Sequence, residues 1–105
     1  MPFQQRFRKI TDNNAALIYL MNRVISAMNR ETDDAKKQRA QTKVKDVQPA
    51  VEECANVTPR ITKAHTDYLA GRASYRDVDT LMNEFERSYD RVNSAYRDCA
   101  SILGI

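Results

Sequence analysis

Eight residues near the end of the chain, Val78, Met82, Phe85, Tyr89, Val92, Tyr96, Cys99 and Leu103, follow one another at alternating steps of four and three. All are apolar or amphipathic. In an α-helix that alternation returns every residue to one face, so the segment reads as a helix with a seam for a partner helix. Ser74 stands where an N-cap belongs, and Asp77 follows three residues later in the manner of a capping box. Asp77 and Asp79 then meet the positive end of the helix dipole. A helix is expected over about 75–103.

The same spacing occurs at the start. Phe3, Phe7, Ile10, Asn14, Leu17, Met21, Val24 and Met28 share one helical face, and Ile18 and Ile25 widen it, as a helix touching two neighbours requires. Pro2 suits a first helical position. A helix over about 3–30 is expected. The polar cluster Thr11-Asp12-Asn13-Asn14 offers an alternative start near residue 13, with Phe3 and Phe7 on a separate arm.

The middle is more ambiguous. Val44, Val47, Val51, Cys54, Thr58, Ile61, His65 and Tyr68 keep the spacing, but Pro49 and Pro59 interrupt it. An internal proline removes a backbone hydrogen bond and clashes one turn back, a cost of roughly 3 kcal/mol. Pro49 is tolerated if it opens a helix, and Thr58-Pro59 if it follows a kink. A helix over about 48–70, bent or interrupted near Pro49 or Pro59, is expected to end at Gly71 in a short connection. Placing Tyr68 opposite Val78 sets Cys54 opposite Val92 and Cys99 opposite Val47. The thiols are then ~10 Å apart along the axis, too far to bridge.

Residues 32–47 form a basic segment with acid first and base last, the order a helix of its own prefers. Asp33 stands at pairing distance from Lys37. Only Ala35, Ala40 and Val44 can be buried in it. It reads as a solvated helix, either an extension of the middle helix or a short fourth one. The expected architecture is therefore all-α: residues 1–105 form one domain, an elongated three-helix up-down-up bundle with coiled-coil-like heptads.

Composition narrows the chemistry. Gly71 and Gly104 are the only glycines, too few for a phosphate-cradling loop or a turn-rich β-sandwich. No stretch approaches the ~20 apolar residues of a spanning helix, and no greasy core follows the charged N-terminus, so no signal peptide and a cytoplasmic location are expected. Cys54 and Cys99, 45 residues apart, fit neither a disulfide framework nor a zinc knuckle and read as core thiols. Net charge is +3, with +4 over residues 1–30, +1 over 31–48, none over 49–73 and −2 over 74–105. The acidic last helix can thus satisfy Arg6, Arg8 and Lys9, which with Phe3 and Phe7 would otherwise suggest a membrane-surface patch.

No catalytic constellation emerges. His65, the sole histidine, has Asp67 on another helical face and reads as a bundle-edge residue rather than a triad member or haem ligand. Glu84, Glu86 and Asp90 alternate with Arg87 as a salt-linked helix face. Asn14 occupies a seam position, where a buried amide fixes register or oligomeric state and a solvated one does nothing. No cofactor, metal or enzymatic activity is expected. The leading expectation is a non-catalytic protein-interaction module: an inhibitor, adaptor or assembly factor of phage- or plasmid-accessory type. It is expected to form a homodimer, because Tyr19, Leu20, Val57 and Leu81 lie off the main seams and offer a second surface. The alternative is nucleic-acid binding through Lys36, Lys37, Arg39, Lys43 and Lys45, a run without an acid or an aromatic. The candidate partner-binding residues are those five cations with Tyr19 and Leu20.

Overall fold

The computed structural model describes residues 3–105, so the expectation for Pro2 lies outside the described residues. They form four α-helices: α1 (Phe3–Arg30), α2 (Asp34–Asp46), α3 (Gln48–Leu69) and α4 (Tyr75–Leu103). The molecule measures 56 × 21 × 17 Å with a radius of gyration of 16.4 Å. A compact domain of this length would have a radius of about 13 Å, so the chain is elongated.

The longest helix organises the rest. α1, α2 and α3 each pack against α4, and α2 also touches α1 and α3; the α1 and α3 backbones stay apart, and these two helices meet through side chains such as the stacked Phe3 and His65. Arg6 reaches Asp79 and Glu86 at one end, while Met28 and Leu103 share an apolar cluster at the other, so α1 runs parallel to α4. α3 returns antiparallel through a tight turn, with Tyr68 and Tyr75 in edge contact at 5.3 Å. The seam expected on α4 is present: Val78, Met82, Phe85, Val92, Tyr96 and Cys99 are buried, with Tyr89 and Leu103 half-buried. Ser88 is buried as well. A helix enclosed on several sides buries more than one stripe.

Two core clusters lie along α4. One joins Leu17, Val24 and Met28 of α1 to Ala40, Ala50, Val92, Tyr96 and Cys99. The other joins Ile10 to Cys54, Val57, Ile61, Val78, Met82 and Phe85. Val57, expected on a second surface, is thus core. On α1 the buried stripe is narrower than the spacing suggests. Ile10, Leu17, Val24 and Met28 are buried, whereas Ile18 and Ile25 stay 50% and 40% exposed. The reason is that the α3 backbone stays away from this flank of α1. α1 is helical throughout residues 3–30, with no break at Thr11–Asn14; the Thr11 hydroxyl donates to the Phe7 carbonyl at 2.9 Å.

The basic segment is a fourth helix, not an extension. The Asp33 carboxylate accepts from the Ala35 and Lys36 amides and caps α2, so it does not form the expected pair with Lys37. Val47 alone separates α2 from α3, and Pro49 sits in the first turn of α3, where its missing N–H breaks no bond. Pro59 is inside α3, which continues through it. The Ala55 carbonyl, deprived of its donor, lies on an exposed residue, and the Thr58 hydroxyl donates to Cys54 instead of capping a new helix.

The buried middle seam is Ala40, Val47, Ala50, Cys54, Val57 and Ile61, with Val47 half-buried. Two successive three-residue steps around Val47 shift its phase, which is why an unbroken 4–3 pattern misplaces Thr58 and Tyr68. The register shifts too. The Cys99 thiol donates to the Ala40 carbonyl at 3.5 Å, one heptad from the expected Val47. At the hairpin, Gly71 adopts φ +75°, and the Gly71 and Arg72 amides donate to the Tyr68 and Asp67 carbonyls, a Schellman closure that uses glycine's access to the left-handed region. Ser74 occupies the N-cap of α4, but its hydroxyl makes no capping bond; its backbone carbonyl accepts from Asp77.

Both cysteines are free and buried, in different clusters. Burial, reinforced by Glu53, pushes the Cys54 thiol up to about 11, and burial also raises that of Cys99. The thiolate is the reactive form. Under native conditions at pH 8, neither thiol is therefore expected to react with an aromatic disulfide reagent until the chain is denatured. Rapid native labelling of either would contradict this packing.

Candidate functional site

Because α1 and α3 both pack on α4 while their own backbones stay apart, a groove runs between them. Its floor is Leu17, Cys54 and Val92, and its walls are Asn14, Ile18 and Met21 from α1 and Val51 and Ala55 from α3. Its volume is about 150 Å³. Nearer the start of α1 the Phe3 and His65 rings stack with centroids 3.5 Å apart, and Phe7 stacks behind Phe3 at 5.2 Å. At the other end α2 fills the space against α1.

The groove is lined by uncharged residues. Helical periodicity continues the α1 wall through Thr11, Asn14, Ile18, Met21 and Ile25. It continues the α3 wall through Val51, Ala55, Thr58 and Thr62. Neither set contains an ionisable group, in a chain of which 30% is charged. From Asn13 to Asn29 the only charge on α1 is Arg23, which points away from the groove and lies 5.8 Å from the centroid of the Tyr19 ring. A helix face without charge is ordinarily a covered one. Asn14 is half-buried in the wall.

The residues singled out from sequence do not converge. Tyr19 is 67% exposed, while Leu20 turns inward against the first core cluster. Leu81 also packs inward. The five α2 cations spread around that helix. At ~100° per residue, Lys36, Arg39 and Lys43 share one flank, Lys37 lies across from them and Lys45 points to the back. Lys43 pairs with Asp98 at 3.5 Å.

A charged cluster does form around Arg6. The Arg6 Nε donates to Glu86 at 3.1 Å, and its terminal nitrogens reach Asp79 and Asn83. Partial burial works against the charge, yet hydrogen bonds to Glu86 and Asp79 outweigh it and raise Arg6 above its ordinary range. This ties α1 to α4, as the opposite net charges of the two segments suggested. Glu86 therefore looks across to α1, and the expected Glu84–Arg87 and Arg87–Asp90 pairs are not formed among the described residues. His65 stacks on Phe3 and lies 6.4 Å from Tyr68, with no nucleophile bonded to it.

Two open depressions of about 380 Å³ lie along α1, one lined by Gln4, Gln5 and Arg8, the other by Asn22, Arg23, Ser26, Ala27, Arg30 and Ile105. Neither gathers an acid–base pair. Among the described residues, no three His, Cys, Asp or Glu side chains come together as a metal site, and no helix is long and apolar enough to cross a membrane. The chain matches no protein-family model, no curated protein and no solved structure.

Proposed function

We propose that this chain is a non-catalytic helical protein-interaction module, acting in the cytoplasm as an inhibitor, adaptor or assembly factor of the phage- or plasmid-accessory kind. One observation carries the reading: two helices present uncharged faces to a shared groove and leave it unfilled. A partner helix laid there would complete a bundle around α1, α3 and α4 by the packing those helices already use with one another. Apolar shape, rather than charge, would then set affinity, with Asn14 as the polar register point.

Affinity capture from the source cell, read by mass spectrometry, tests it. Wild type is expected to retain a protein that Ala55→Arg, a substitution at an exposed position in the groove wall, releases. Identical proteins on both, or none on either, would contradict the reading. Nucleic-acid binding through α2 is the second reading, favoured because Lys36, Lys37, Arg39 and Lys45 form no ion pair among the described residues. Their spread around the helix weakens it, since phosphate tracking needs cations on one face. Binding to duplex DNA that falls steeply with salt would support that reading.

A further inference from the structure

We propose that residues 3–10 of α1 form a strap, latched to α4 by Arg6 and jointed at Thr11–Asn14, that opens as a unit and uncovers the second core cluster. The strap is independent of the groove and of the interaction-module reading built on it.

α1 packs in two halves. Among the described residues, Phe3, Phe7 and Ile10 are all that it gives to the second cluster. Leu17, Leu20, Met21, Val24 and Met28 serve the first cluster alone. Between them Thr11, Asp12, Asn13 and Asn14 belong to neither, and all four are exposed or half-buried. Thr, Asp and Asn side chains compete for backbone hydrogen bonds, which makes them weak inside a helix and strong at its N-cap. Thr11 already does so, its hydroxyl donating to the Phe7 carbonyl. If the first turns leave, Asp12 stands ready to cap the helix that remains.

Local preference does not hold the strap helical. No acid stands in its first turn, and Arg6, Arg8 and Lys9 gather at the positive end of the helix dipole, where cations are unfavourable. Tertiary contacts do the holding. Toward α3 the Phe3 ring stacks on His65. Toward α4 the Arg6 guanidinium donates to Asp79, Asn83 and Glu86. Arg6 makes the only ion pairs joining α1 to another helix among the described residues. The Asp79 and Glu86 side chains keep 46% and 47% of their surface in water, so solvent can replace the guanidinium when it departs. Ile10 is the one fully buried residue of the strap. A segment with so little buried surface opens while the rest of the fold stays intact. Its departure bares the cluster that holds Cys54 and Phe85 and leaves the cluster of Cys99 closed.

Residue-resolved amide hydrogen exchange is the test, on wild type and two variants. In wild type the amides of Phe7 to Ile10 are expected to exchange at one common rate, ~10-fold or more faster than those of Leu17 to Met28, with the step at Thr11–Asn14. Arg6→Gln removes the charge from the latch and is expected to speed the first group a further ~10-fold while leaving the second unchanged. Asp12→Ala, at an exposed position, raises helix propensity across the joint and removes the spare cap. It is expected to slow the first group ~3-fold or more, and it decides the matter if Arg6→Gln loses its fold. The two thiols give an independent readout. In Arg6→Gln, Cys54 is expected to label faster with an aromatic disulfide reagent while Cys99 stays protected. Rates that fall smoothly along α1 would mark ordinary fraying of a helix end and overturn the joint. Exchange indifferent to both substitutions, or equal acceleration of both thiols, would overturn the latch.

Discussion

Replacing Phe85 by alanine is expected to destabilise the chain by ~3–5 kcal/mol, the range for large-to-small changes in a packed core. Phe85 is 1% exposed and sits where all the long helices meet: Ile10 from α1, and Cys54, Val57 and Ile61 from α3, share its cluster. Its ring stacks on Tyr89 at 6.2 Å. Removing it empties a space that three rigid helices cannot close. At ~4 °C or more per kcal/mol for a domain of this size, thermal unfolding followed by helical circular dichroism should fall by at least ~12 °C. An unchanged midpoint would mean that the α4 seam is not the centre of the fold.

The second large effect is expected at Ala40. This residue has 0% exposure, the only fully buried position on α2, and its carbonyl receives the Cys99 thiol. Ala40→Glu keeps helix propensity nearly constant, so any loss reports burial. A carboxylate held there without a partner would cost ~3 kcal/mol or more. α2 has 13 residues, too few for a helix to persist alone in water. The variant is therefore expected to lose α2 from the bundle or to unfold as a whole. Ala35→Glu, on an exposed position near the positive end of α2, is the control and is expected to be neutral. If both are neutral, α2 is not docked against α4.

These two residues mark the ends of what the sequence made legible. Phe85 belongs to a run of eight strongly apolar or amphipathic residues at constant 4–3 spacing, and a pattern that long has one structural reading. Ala40 carries its burial in a single methyl group, within a segment whose other residues are mostly charged, so periodicity cannot separate a docked helix from a solvated one. The middle seam failed for a related reason. Its buried positions include Ala50, which carries little signal, and two three-residue steps at Val47 shift the phase. Charge balance between the first and last segments did point to contact between them, and Arg6 supplies it.

The groove was hidden from sequence for a different reason. Ile18 and Ile25 are expected to widen the buried stripe of a helix with two neighbours; α1 has two, α4 and α2, yet both isoleucines stay exposed. The α1 and α3 backbones stand apart over α4, with Val92 as floor of the groove. The signal that would have located the site is the charge-free stretch from Asn13 to Asn22, uncharged on every side of the helix yet exposed at Ala15, Ala16, Ile18 and Tyr19. A surface helix normally carries charge on its outer face, and its absence marks a face meant to be covered.

Under the proposed function the chain meets its partner through α1 and α3 rather than through its basic helix. The most direct measurement is amide chemical-shift mapping, from dilute to concentrated protein and again with a captured partner. The shifting amides are expected to cluster in residues 11–25 and 51–62 while α2 stays unmoved. Shifts centred on residues 36–45 would contradict it.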